Sequence, residues 1–214
     1  PLAYLDCETV AFAIPRSQGG KPWHPVAAEA SIHVETDGEL VHHEHLASGT
    51  DDPRPELARF VIDRLRGART ILCWNASFEL RCLQLIADAY PRLRVPIKGV
   101  SARIVDLLPI VRDNVYHPAF NGSFGLKSVT PALVPKLSYD KLEIAGGDDA
   151  SAVLFRLLSG TLDASAIATA RASLLAYCRL DTLAMVEILR VLRGLASRSA
   201  GSSAPAARKR RARV

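Results

Sequence analysis

The chain has 214 residues, 49% of them hydrophobic, which suits a single domain large enough to bury a real core. Its net charge of +5 is unevenly placed: residues 1–197 carry 21 basic against 22 acidic side chains, and the excess comes from Arg198, Arg208, Lys209, Arg210, Arg211 and Arg213. The body is therefore not a basic nucleic-acid clamp, and with no 18-residue apolar run and no signal peptide, neither a membrane-spanning helix nor secretion is expected.

Leu2 to Leu5 reads as a buried strand that ends in Asp6-Cys7-Glu8, and on a strand Asp6 and Glu8 point to the same side. Two further strands, Val26–Val34 and Leu40–Leu46, are joined by the hairpin signal Asp37-Gly38. The second holds His42-His43-Glu44-His45, where only His43 and His45 share a face; two imidazoles without a third ligand do not make a zinc site. An amphipathic helix is expected over Pro53–Arg66 with Phe60, Ile62 and Leu65 inward. Thr70–Trp74 is a short strand that delivers Asn75-Ala76-Ser77-Phe78-Glu79. Asn75 or Ser77 would cap the following helix, and Phe78 would join Cys82, Leu85, Ile86 and Ala89 on its packed face, fixing the aim of Glu79.

Arg103–Leu108 reads as another strand, with Arg103 and Asp106 either touching substrate or forming a structural ion pair. In the Pro-, Asn- and Gly-rich loop Asp113–Gly125, the rings of Tyr116, His117 and Phe120 either stack on unpaired bases or pack within the loop. Helical patterns follow over Leu126–Leu133, Asp149–Leu158 and Ala164–Leu195. Lys127 near the start of the first either neutralises a phosphate or is solvated. In the last, Leu175, Cys178, Met185, Leu189 and Leu192 form the packing stripe. Cys7, Cys73, Cys82 and Cys178 contain no C-x-x-C pair and read as reduced core residues of a cytoplasmic protein. Residues 1–195 thus form one α/β domain, a mixed sheet flanked by helices. Residues 196–214 have a linker's composition and then a cationic run, a disordered basic tail that is a solvated end or a phosphate tether. A start at Pro1 directly into a strand reads as a domain cut from a longer protein with an upstream part.

Inside that long helical pattern stands Tyr177-Cys178-Arg179-Leu180-Asp181, in which Tyr177 and Asp181 lie one turn apart on the same face. Asp6, Glu8 and Asp181 would offer hard oxygen ligands to Mg²⁺ or Mn²⁺, with Glu79 as a fourth acid. The phenol of Tyr177 would reach a water one turn away. An idle site has no reason to retain four mutually repelling acids.

The three motifs, in this order, resemble those of DnaQ-like 3′–5′ exonucleases of the RNase H fold, in the tyrosine-type (DEDDy) variant; the histidine variant needs His where this chain has Ala176. More closely, residues 2–193 are similar to the bacterial family catalogued as domain of unknown function 2779. The similarity is carried by Asn-x-x-Phe-Glu at 75–79, Arg103-Ile-Val-Asp-Leu-Leu108, Tyr116-His-Pro118, Gly122-Ser-x-Gly-Leu-Lys-Ser-Val129 and the stretch Tyr177–Met185. Two departures stand out. Glu79 occupies a place where most DnaQ-like enzymes have Asp, and Ala28-Glu29-Ala30-Ser31 stands where the nearer family's pattern has Phe-Gln-Tyr-Ser.

The resemblance implies a mixed five-stranded RNase H-like sheet and a two-metal exonuclease. Asp6, Glu8, Glu79 and Asp181 would be its metal ligands and Tyr177 its water-positioning residue. Single-stranded DNA or RNA 3′ ends would be the substrate, touched by Asn75, Phe78, Arg103, Tyr116, His117 and Lys127. The alternatives are a catalytically idle nucleic-acid-binding module of a larger protein, or an endonuclease using the same metals.

Overall fold

A computed structural model describes residues 1–202, with side chains through Arg198. Five strands form one sheet: β1 (Leu2–Ala11), β2 (Pro25–Thr36), β3 (Glu39–Leu46), β4 (Thr70–Cys73) and β5 (Ile104–Asp106), in the order β3-β2-β1-β4-β5. β2 is antiparallel to both β1 and β3, whereas β4 and β5 run parallel to β1, so the sheet is mixed. Helices α1 (Arg54–Arg64), α2 (Ser77–Ala89), α3 (Arg94–Ser101), α4 (Leu107–Asn114), α5 (Leu126–Leu133), α6 (Gly147–Leu158) and α7 (Ala164–Ser202) flank it. The chain is an α/β protein with a five-stranded mixed sheet between helices.

Alternation along β1 sorts its residues to two faces. Ala3, Leu5 and Cys7 pack with Leu57, Val61, Leu83 and Ile86 of α1 and α2. On the other face Tyr4 joins Leu72, Phe120 and Met185, while Val10 joins Leu154, Leu158 and Leu174. Asp6 and Glu8 lie between those two apolar clusters. β1 is longer than expected and puts the Asp-x-Glu pair in its middle, because Thr9 and Val10 continue the ladder onto Ala27 and Val26. The register shifts between Glu8 and Thr9, leaving Ala28 as the extra residue on β2.

The Asp37-Gly38 turn is formed, with φ of 52° and 89°. The inward face of α1 is Leu57, Ala58 and Val61, continued by Leu65; Phe60 and Ile62 pack at its edge instead of leading it. The segment expected to be loop from Asp113 begins inside α4 and contains a 3₁₀ turn over Pro118–Phe120. At the other end α7 runs past Leu195 to Ser202, into the stretch expected to be tail. The remainder of that tail, including the basic run from Arg208, lies outside the described residues. Among the described residues no helix is long and apolar enough to cross a membrane.

Candidate functional site

α7 covers the sheet face that carries Asp6 and Glu8. It presents Tyr177, Cys178, Asp181, Thr182 and Met185 inward, all buried, at the spacing of a single helical stripe. The rotation of the helix is set by polar contacts. Ser31 Oγ and His33 Nδ1, both on β2, each lie 2.8 Å from Thr182 Oγ1. His42 Nε2 on β3 is 2.9 Å from Ser31 Oγ. Nearer the start of α7, Arg171 donates to the carbonyls of Ala47 and Leu46 at 2.8 and 3.2 Å. With Thr182 held to β2, Asp181 turns toward β1. One ligand atom from each of Asp6, Glu8 and Asp181 then lies within 4.8 Å of the others, close enough for a single cation.

Glu79 approaches from the start of α2. It is outside that triad but lines the same cavity of about 560 Å³, and its Oε2 is buried with no hydrogen-bond partner. The turn that delivers it differs from expectation. Asn75 takes a left-handed conformation (φ 62°), and the N-cap is Ala76, with no side-chain cap. Ser77 Oγ donates to Asn75 Oδ1 rather than to the helix. The acceptor for this turn comes from β5: the Asp106 carboxylate accepts from the amides of Asn75 and Ala76 at 3.0 and 3.1 Å, and from Leu108 at 3.0 Å as the N-cap of α4. The buried face of α2 is Glu79, Cys82, Leu83, Ile86 and Ala87. Phe78 is 37% exposed at the cavity wall, so Glu79 itself, not Phe78, occupies the packed stripe.

Burial and mutual repulsion dominate the electrostatics. Asp6 is pushed well above the ordinary carboxylate range by burial and then by Asp181, Glu8 and Glu79. Burial, with Asp181 and Glu29 adding repulsion, lifts Glu8 to about 9, and burial lifts Glu79 to about 8. Asp181 rises only to about 6, because hydrogen bonding from Tyr139 and the charge of Lys127 offset part of its burial. Lys127 donates to the Ala145 carbonyl at 2.7 Å, and its Nζ lies 4.4 Å from the centre of the Tyr177 ring. Burial and the neighbouring acids hold the Tyr177 phenol above its usual range, so it stays protonated. Hard oxygen donors in excess of nearby cations, one of them an orphaned buried oxygen, are a donor set that fits a divalent cation.

Of the expected substrate contacts, Asn75, Phe78 and Lys127 line the cavity with the acids, and Trp74 joins them. Arg103, Tyr116 and His117 do not. Arg103 donates to the carbonyls of Leu65, Ala68 and Gly99, which ties α1 and α3 to β5, and it makes no ion pair with Asp106. Tyr116 is 75% exposed away from the cavity. His117 Nδ1 accepts from Ala119 N at 3.2 Å and caps the 3₁₀ turn.

Two residues at the site were not among those the sequence assigned to it. Tyr139 lies between α5 and α6 and donates to Asp181 Oδ1 at 2.6 Å. Glu29 pairs opposite Glu8 across β1 and β2; it is 1% exposed, and neither of its carboxylate oxygens has a partner. The four cysteines are unpaired and buried, and Cys178 Sγ lies 3.3 Å from Asp6 Oδ2. Among the described residues, the acidic triad is the one group of three or more His, Cys, Asp or Glu side chains that converges on a metal-sized space, so neither the cysteines nor the His42–His45 run forms such a cluster.

No curated protein matches this chain. The family described as Domain of unknown function (DUF2779) matches residues 3–125, which takes in Asp6, Glu8 and Glu79 and stops short of Tyr177 and Asp181. Since that match spans more than half of the sequence, the chain belongs to the domain of unknown function 2779 family.

Proposed function

We propose that this protein is a metal-dependent 3′–5′ exonuclease acting on single-stranded DNA or RNA, with Mg²⁺ or Mn²⁺ as its cofactor. The observation that carries the reading is the convergence of Asp6, Glu8 and Asp181, with Glu79 in the same open cavity and Tyr177 one helical turn from Asp181. The strand order β3-β2-β1-β4-β5, with β2 alone antiparallel to the rest, supports an RNase H-like assignment. The 3′-to-5′ polarity rests on the resemblance of the three motifs to tyrosine-type DnaQ-like enzymes.

When bound, a pair of divalent ions lowers the pKa of an attacking water and offsets charge on the scissile phosphate and its leaving oxygen. The chain's own residues then have separate tasks. Asp6, Glu8 and Asp181 would hold a cation, and Glu79, in the same cavity, would add a fourth carboxylate. Tyr177, kept protonated, orients a water through its hydroxyl rather than removing a proton from it. Lys127 offers a positive charge beside Tyr177 for a phosphate oxygen. Trp74 and Phe78 give the cavity wall aromatic surface on which an unpaired base can stack.

The test is cleavage of end-labelled single-stranded DNA and RNA oligonucleotides with Mg²⁺ or Mn²⁺. A ladder shortening from the 3′ end is expected from wild type and none from Asp181→Asn. Tyr177→Phe keeps the packing and removes the hydroxyl, so turnover should fall by about 10²-fold or more with folding intact. Internal cuts on a circular single strand would indicate an endonuclease with the same metals. Binding without cleavage in either metal would indicate an idle module.

A further inference from the structure

We propose that Tyr139 is a positioning residue of the metal site, holding one oxygen of Asp181 so that the other faces Asp6 and Glu8. This rests on the metal-site reading above and goes beyond it, because Tyr139 belongs to none of the three acidic motifs. Its hydroxyl donates to Asp181 Oδ1 at 2.6 Å, a length expected when the acceptor is charged. The bond joins residues 42 positions apart and reaches α7 from a stretch with no helix or strand of its own.

That stretch is tied down around the ring. The Leu142 amide donates to the Tyr139 carbonyl at 2.9 Å, and the Tyr139 ring packs on the apolar cluster that includes Ile144 and Leu154. It meets the Tyr177 ring edge-on, with centroids 6.5 Å apart, and Lys127 Nζ lies 5.6 Å from its centre. A carboxylate at the end of a single χ1–χ2 pair can rotate between ligating and non-ligating orientations. A donor fixed on Oδ1 removes that freedom. With Oδ1 so held, Oδ2 would be the oxygen offered to the cation, as outer partners hold ligating groups in metal sites generally.

The experiment compares wild type, Tyr139→Phe and Asp181→Asn in two readouts over a Mn²⁺ series: melting temperature, and cleavage of a single-stranded oligonucleotide. Tyr139→Phe is expected to melt cooperatively without metal near the wild-type temperature. The Mn²⁺ concentration giving half of its melting shift should rise about tenfold or more, the loss expected for a hydrogen bond to a charged group. At saturating Mn²⁺ its turnover should return to within a few-fold of wild type. Replacing Tyr139 with 3-fluorotyrosine, which keeps the O–H and the ring, should restore the Mn²⁺ midpoint.

An unchanged midpoint in Tyr139→Phe would overturn the positioning role while leaving the metal site itself standing on the wild-type response. A Tyr139→Phe chain that fails to melt cooperatively would assign the hydroxyl to folding and overturn it as well. Wild type that responds to Mn²⁺ no differently from Asp181→Asn would sink the metal-site reading together with this one.

Discussion

At the scale of single residues, the site stores repulsion, and Glu29 is where it is most exposed to test. Its carboxyl is buried beside Glu8 without a hydrogen-bond partner, and burial, then Glu44, lifts it to about 8. The folded-state pKa is thus raised above the unfolded value. Below about 4.5 both states hold the proton and the fold loses nothing. Between about 4.5 and 8 the unfolded chain has released the proton and the folded chain has not, so stability falls as pH rises, by up to about 1.4 kcal/mol per pH unit. Above about 8 the loss is complete and constant. Glu29→Gln keeps the shape and removes the titration. In metal-free buffer its melting temperature should exceed that of wild type increasingly from pH 5 to pH 8, and the two should converge below pH 4.5. Parallel curves across that range would mean that Glu29 is not held protonated by the fold.

At the scale of elements, Asp106 shows how one side chain sets the geometry of two helices. It accepts from Asn75 and Ala76, which begin the turn into α2, and from Leu108 at the start of α4. Asp106→Ala leaves these amides without an acceptor and is expected to cost about 1–3 kcal/mol. Because the α2 turn aims Glu79, catalytic turnover should fall by more than the loss of folded protein explains; chemical denaturation and cleavage measured on the same samples separate the two. A variant of unaltered stability would show that water replaces the carboxylate. From the sequence Asp106 reads as a substrate contact or an ion-pair partner of Arg103, not as the acceptor of this turn. Asn75 and Ser77 sit where a cap should be, and local rules choose among neighbours; the actual acceptor comes from 30 positions away in β5. Local and periodic features were legible in advance: the Asp37-Gly38 hairpin, the pairing of Asp6 with Glu8 on one side of β1, and the one-turn spacing of Tyr177 and Asp181. Whatever depends on the register between distant elements was not. Glu29 faces Glu8 only because β1 pairs with β2 in the register it does. Tyr139 lies in a segment with no period to read, and the carbonyl partners of Arg103 lie on other elements.

At the scale of the molecule, burial of Asp6, Glu8, Glu79 and Asp181 together makes metal-free protein less stable as pH rises, each raised pKa acting in the same direction as Glu29. Mn²⁺ must displace the protons these groups retain, so its stabilising shift should be larger at pH 8 than at pH 5.5. At 100 times its Kd it should add about 2.7 kcal/mol, and Asp6→Ala should abolish the shift. Charge beyond the site is distributed so that binding and chemistry can be separated. Residues 1–197 carry 21 basic against 22 acidic side chains, whereas residues 203–214 hold Arg208, Lys209, Arg210, Arg211 and Arg213 and no acid. A nearly neutral body gains little from counterion release, and each terminal cation that contacts a phosphate adds up to about one unit to the slope of log affinity against log salt. Deleting residues 203–214 should therefore weaken binding to a single-stranded oligonucleotide most at low salt and flatten that slope by several units. It should leave single-turnover cleavage at saturating protein unchanged, since every acid of the site lies at or before Asp181. Binding measured across a salt series for the full and shortened chains decides the first point, and the single-turnover rate decides the second. Equal slopes would make the basic end a bystander, and a slower cleavage step would mean that it reaches the metal site.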